Sequence, residues 1–199
     1  MPSYYEISVN SFPSSRWHRA ILRLVSNTLQ RTENPIVDVG CGDGYRVTVG
    51  LRSAGEVIGV DTDLEMLRHA ERRLPAVVHA SAEALPFREN CFHSALCMEV
   101  LEHVPKPQAV IRQLAQVVTT KGKLLIVVPQ ETILFRVIWF LWTRLTEGRR
   151  WRNKHINHLK PMDLTQILHE NSFKTNINTK TNLGMIAAIL SEKVADLTV

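Results

Sequence analysis

The chain lacks several features that would point to other protein classes. It has only three cysteines in 199 residues, Cys41, Cys91 and Cys97, and their spacing is not that of a ligand set, so neither a metal cluster nor a disulfide framework can be built from them. Their odd number, with no secretory leader ahead of them, fits free thiols in a reducing compartment and predicts a cytoplasmic location. No apolar run reaches the roughly 20 residues needed to span a bilayer; the window from Ile133 to Leu145 is shorter and is interrupted by Arg136 and Arg144. Internal repeats and low-complexity tracts are absent too. The excess of positive charge is small, a net +5 at neutral pH, which permits acidic partners without being a nucleic-acid signal.

What is present is organised around Ile36-Val37-Asp38-Val39-Gly40-Cys41-Gly42-Asp43-Gly44. A short β-rich apolar run ends there in three glycines spaced two apart, as a buried parallel strand requires when its backbone must turn sharply against a ligand. A second apolar run, Val57-Ile58-Gly59-Val60, ends in Asp61. A carboxylate at the C-terminal edge of a strand can accept hydrogen bonds from ribose hydroxyls, so two strands and one acid outline a nucleoside site. A dinucleotide-binding fold wants Gly-x-Gly-x-x-Gly, whose last glycine allows close helix packing beneath a pyrophosphate. Tyr45 stands in that place.

The length suits one α/β domain and is too short for two, so residues 1–199 are expected to form a single domain with an arm at 1–13 and an apolar, basic, lid-like insertion at 131–160. From Ser14, Trp17, Ile21, Val25 and Leu29 recur every four residues and predict an amphipathic helix. Tyr45 to Ala54 is the expected crossover helix. Asp63 caps the next helix, with Leu64, Leu67, Ala70 and Leu74 toward the sheet and Pro75 as its stop. Strands are expected at Ala76 to His79, at Phe92 to Cys97 and, after a turn at Lys121-Gly122-Lys123, at Leu124 to Val128. Between the last two a helix from Pro107 carries Val110, Ile111, Leu114 and Val117 inward. Pro161 opens another helix, Asn171 ends it, and Phe173 to Thr179 is a sixth strand. Leu183 to Val199 reads as more helical than extended, which leaves a seventh strand open. Alternation of strand and helix predicts a three-layer, doubly wound, mostly parallel α/β fold.

Asp38, Gly40, Gly42 and Gly44 resemble the first motif of class I S-adenosylmethionine-dependent methyltransferases, acid-x-Gly-x-Gly-x-Gly. Ala82-Glu83-Ala84-Leu85-Pro86-Phe87 is similar to their Ala-Glu-x-Leu-Pro-Phe segment, and Cys97 through Pro105 looks like the fourth-strand motif of the quinone-biosynthesis O-methyltransferases and their small-molecule relatives. His155, His158, Leu164 and Phe173 resemble the later pattern of a histidine loop, a helix and a strand start. The resemblance covers Ile36 to Phe173. It implies a Rossmann-like fold, S-adenosyl-L-methionine as cofactor, and methyl transfer to a small-molecule or lipid-like acceptor at oxygen.

The same resemblance implies roles for particular residues. Gly40, Cys41, Gly42 and Gly44 let the backbone pass under the amino-acid end of the cofactor, whose ammonium lies near Asp38. Asp61 holds the ribose hydroxyls, with Thr62 beside it as ligand or cap. Many relatives carry an acid just before the alanine of the Ala-Glu segment, where it accepts from the adenine amine; this chain has Ser81, whose uncharged oxygen contributes less, so Ala82 and Glu83 share the task. Met98, at the end of the fourth strand, completes the cofactor set.

Glu99, Glu102 and His103 stand at i, i+3 and i+4, on one face if that segment is helical. Related acids and histidine are associated with a divalent cation in the quinone enzymes, so the three are candidate ligands, although no metal is required. A neutral imidazole could take the proton of the attacking nucleophile, a role open to His103, His155 and His158. The apolar window at Ile133 to Leu145 reads as a core helix, or as a lid over an apolar acceptor resting on an anionic membrane. Nucleic acid stands third. A non-catalytic cofactor-binding protein and a nicotinamide oxidoreductase are the alternative functions.

Overall fold

The computed structural model describes residues 14–28, 34–45, 56–145, 156 and 159–195. The expected crossover helix after Tyr45 and the arm at 1–13 lie outside these residues. The elements in chain order are α1 (Ser14–Thr28), β1 (Ile36–Val39), β2 (Val57–Asp61), α2 (Leu64–Ala70), β3 (Ala76–His79), β4 (Phe92–Met98), α3 (Pro107–Val117), β5 (Val118–Pro129), α4 (Ile133–Leu145), α5 (Pro161–Glu170), β6 (Phe173–Thr181) and β7 (Ile186–Lys193). They build one seven-stranded sheet in the order β3-β2-β1-β4-β5-β7-β6. β1 to β5 pair in parallel, and β7 runs antiparallel between β5 and β6.

Strand side chains alternate between the two faces of the sheet, and helices bury both. On one face Val37, Val39, Ala95, Cys97, Leu124 and Ile126 join Val110, Ile111 and Leu114 of α3 and Leu164 and Leu168 of α5. On the other, Ile36, Leu96, Met98, Leu125 and Val127 join Ile21 and Val25 of α1 and Leu67 and Ala70 of α2. Three layers result, as expected. The start of α2 is capped by Asp63, whose Oδ1 accepts from the Glu65 and Met66 amides at 2.9 and 3.1 Å.

Four local expectations are corrected. A seventh strand exists: Ile186 to Lys193 is extended, and its first six residues are all buried. Wedged between two strands and covered on both faces, it shows no polar alternation, and Ala187 and Ala188 gave it a helical look. The turn before it runs through Asn182, Leu183 and Gly184, all at positive φ. Leu64 does not face the sheet. It is the first residue of α2, beyond the end of β2 where no sheet lies under it, and is 54% exposed. Lys121-Gly122 is an irregularity inside β5, since Val118 already pairs with Phe92 and Lys123 with Ser94. Finally, Glu99 to His103 forms a bend and turns, with no α-helix to align the three side chains on one face.

Candidate active site

Strand order reverses between β1 and β4, so the loops leaving the C-terminal ends of these neighbours part to opposite faces and open a crevice. The loop after β1 lies there. Gly40, Gly42 and Gly44 have φ values of 77°, 54° and 73°, a region that strongly favours glycine. The Gly40 and Cys41 amides both donate to Val60 O, at 2.7 and 3.0 Å, which ties the start of the loop to β2. A Cβ on Gly40 would overlap Cγ2 of Val100.

Asp61, at the end of β2, closes the loop from the other side. Its Oδ2 accepts from the Gly42 amide at 2.8 Å and its Oδ1 from the Asp63 amide at 2.9 Å. The carboxylate is partly exposed. Each oxygen has a second lone pair, so the group can still accept from a vicinal diol. Asp38, one residue before the end of β1, is 1% exposed. Thr62 is exposed, and its carbonyl lies 3.0 Å from His79 Nε2. This set fits an adenosyl ligand: an accepting carboxylate for hydroxyls, a buried acid for an ammonium, and between them a loop in which every second residue is a glycine.

The segment after β3 sits on the same edge. Its Ala80 amide donates to Asp61 O at 3.1 Å. Ser81 is exposed and its Oγ accepts from the Glu83 amide at 3.2 Å, while Glu83 Oε1 accepts from the Lys106 amide at 3.0 Å. Ala82 is buried between them. Part of the accepting capacity of Ser81 and Glu83 is thus used in shaping the turn. Met98 is buried in the face covered by α1 and α2.

Beyond β4, the candidate metal ligands do not converge. Among the described residues no three His, Cys, Asp or Glu side chains gather as a metal site. Glu99, at φ 56°, accepts a hydrogen bond from Trp17 Nε1 of α1. Glu102 is buried. His103 is half-buried, and its amide donates to Val100 O at 2.9 Å. His155 and His158 lie outside the described residues. Ile156, which stands between them in the sequence, donates its amide to Glu102 O at 2.8 Å, against the turn that carries His103.

The two buried thiols, Cys41 and Cys97, are held in the protonated form. Burial pushes the Cys41 thiol up, and the Asp38, Asp61 and Asp43 carboxylates add to the effect. Burial does the same to Cys97, reinforced by Glu102 and Asp38. Both remain protonated at neutral pH.

Sequence reasoning missed three features of the site. Asp43, buried in mid-loop, pairs with Arg73, Nη1 to Oδ2 at 2.9 Å. Gly59 leaves room for Leu74 and Cys41, whose Cδ1 and Sγ would lie 2.6 and 2.7 Å from a Cβ there. Trp17 reaches Glu99 and packs its ring 5.7 Å from Phe135 of α4. Only Asp43 had a signal, an acid set between two glycines.

Residues 37–126 match the family described as methyltransferase domain. A ubiquinone biosynthesis O-methyltransferase of Ralstonia nicotianae is 37% identical over 105 residues, 49% of this chain and 44% of that protein. One from Vibrio cholerae serotype O1 is 29% identical over 175 residues, 75% of this chain and 70% of that protein. The Ralstonia match is typical of the better-matching curated relatives, of whose length the chain spans about half. Among solved structures, the PH0226 protein from Pyrococcus horikoshii OT3 shares the fold with a TM-score of 0.75 at 15% identity, over 97% of this chain and 99% of that one.

Proposed function

We propose, from the match of residues 37–126 to the methyltransferase domain family, that the protein moves a methyl group from S-adenosylmethionine to an oxygen of a small-molecule or lipid-like acceptor. The observation that carries this reading is Asp61, which grips the glycine loop through the Gly42 amide at 2.8 Å and keeps a partly exposed carboxylate at the crevice. The cofactor supplies a sulfonium whose methyl group is already activated. What the chain contributes is position. In this reading Gly40, Cys41, Gly42 and Gly44 underlie the amino-acid end, Asp38 faces the ammonium, Asp61 and Thr62 hold the ribose, and Ser81, Ala82, Glu83 and Met98 border the adenine. His103, with His155 and His158, is available to take the acceptor's proton. Residues 1–199 act as one domain in this reading.

The test is to incubate the protein with methyl-labelled cofactor and separate extracts of soluble metabolites, lipids and RNA. Label in a metabolite or lipid fraction supports the reading; label in RNA alone, or binding without turnover on any pool, contradicts it. Titration of NADH fluorescence addresses the oxidoreductase alternative, which Tyr45 in place of a third fingerprint glycine already disfavours.

A peripheral contact with anionic membrane is a second reading, and α4 is its support. Phe135 and Thr143 are buried, whereas Ile133, Leu134, Val137, Ile138, Phe140 and Leu141 are exposed, Ile133 at 84%. The helix has no acid, and its two arginines are exposed as well, Arg136 and, with its guanidinium 4.2 Å from the centre of the Phe140 ring, Arg144. Arg149, Arg150, Arg152 and Lys154 follow in the sequence. An apolar face with basic neighbours suits an anionic interface. No helix among the described residues is long and apolar enough to cross a membrane. Val137→Asp together with Phe140→Asp is expected to abolish co-sedimentation with vesicles containing phosphatidylglycerol. Equal sedimentation of parent and variant would exclude α4 as the contact.

A further inference from the structure

We infer that Arg73 is a positioning residue for the glycine loop, acting through Asp43 and setting cofactor affinity without touching the cofactor; this rests on the methyltransferase reading of the site. Arg73 lies in the turns that follow α2, and its amide donates to Ala70 O at 2.8 Å. One nitrogen of its guanidinium, Nη1, meets Asp43 twice: 2.9 Å from the carboxylate Oδ2 and 2.8 Å from the backbone carbonyl. The other carboxylate oxygen, Oδ1, accepts from the Tyr45 amide at 3.1 Å. The guanidinium carbon stands 5.6 Å from the centre of the Tyr45 ring. Asp43 is 1% exposed.

A loop whose glycines carry no side chains has little packing of its own to hold it in left-handed conformations. Besides the Val60 carbonyl that holds its start, two side chains grip it. Asp61 takes the Gly42 amide from the β2 side, and Arg73 takes Asp43, the next residue, from the α2 side. Leu74, the neighbour of Arg73, lies close under Gly44, where a Cβ would come within 3.1 Å of its Cγ. The crossover from β2 to β3 therefore forms the underside of the loop. A loop ordered before binding has less freedom to lose when the ligand arrives, so this pair appears in the affinity. A buried carboxylate deprived of its cation loses that order, because the uncompensated charge must find water or a proton.

The experiment is isothermal titration of S-adenosylmethionine and its demethylated product into the wild-type chain and into Arg73→Met, Arg73→Lys, Asp43→Asn and the Arg73→Met/Asp43→Asn double variant, with circular dichroism confirming the folded state at the titration temperature. Arg73→Met is expected to weaken both ligands at least tenfold. Arg73→Lys should fall between it and wild type, and the double variant should be no weaker than the worse single one. Amide hydrogen exchange at residues 40–45 should quicken in Arg73→Lys, a readout that remains if Arg73→Met does not fold. Affinities within twofold of wild type in the folded variants, or unchanged exchange in Arg73→Lys, would overturn the inference while leaving the methyltransferase reading standing. Failure of the wild-type chain to bind either ligand would overturn that reading itself.

Discussion

Asp61→Ala is expected to raise the dissociation constant for S-adenosylmethionine by a hundredfold or more while the chain stays folded. Hydrogen bonds to a charged acceptor contribute about 1.5–3 kcal/mol each, and two ribose hydroxyls on one carboxylate together exceed the roughly 2.7 kcal/mol that a hundredfold requires. The geometry adds a second loss, since the same carboxylate receives the Gly42 and Asp63 amides. Removing it frees the glycine loop as well as the ribose. Asp61→Asn separates the two effects in part, because the amide oxygen can keep the Gly42 bond while its nitrogen can accept neither from a hydroxyl nor from the Asp63 amide. An intermediate affinity for Asn, with a melting temperature between those of wild type and Asp61→Ala, is the expected pattern. Calorimetric affinity unchanged in Asp61→Ala would remove the carboxylate from the cofactor site.

Gly40→Ala should be strongly disruptive. Gly40 has φ 77°, where an alanine is strained by about 1–2 kcal/mol, and its new Cβ would overlap Val100 Cγ2. Val100 is β-branched and stiff, so relief needs backbone movement in the turn after β4. Overpacking of this kind adds about 1–3 kcal/mol. A total near 3 kcal/mol is expected as a lower urea midpoint, together with weakened cofactor binding. Pairing the change with Val100→Ala removes the overlap and leaves the conformational strain, so the double variant should recover part of the stability. A single variant with the wild-type midpoint would show that the loop is not held as described.

Most elements were legible because their periods are strong. The α3 positions Val110, Ile111, Leu114 and Val117 recur at helical spacing and are all buried, and β3 begins and ends where the apolar run between Pro75 and Ala80 does. Legibility failed where burial on both faces erased the period, as in β7, or where a period continued past the surface that gives it meaning, as at Leu64. Glu99, Glu102 and His103 failed for a different reason. Their spacing is helical, but the chain leaving β4 bends at Glu99, whose amide donates to Val127 O at 2.8 Å on the neighbouring strand. That bond belongs to a strand 28 residues away, so no local pattern reports it.

The glycines of the loop, the acid that ends β2 and the alternation of strand with helix were determined by the sequence alone, because each expresses a backbone or periodic requirement carried by adjacent residues. Only the folded chain decided what holds that loop in place. Arg73 meets Asp43, Trp17 meets Glu99, and β7 enters between β5 and β6. Such contacts join segments far apart in the sequence, and they form only when the helices and strands pack into layers, a geometry that no run of adjacent residues carries.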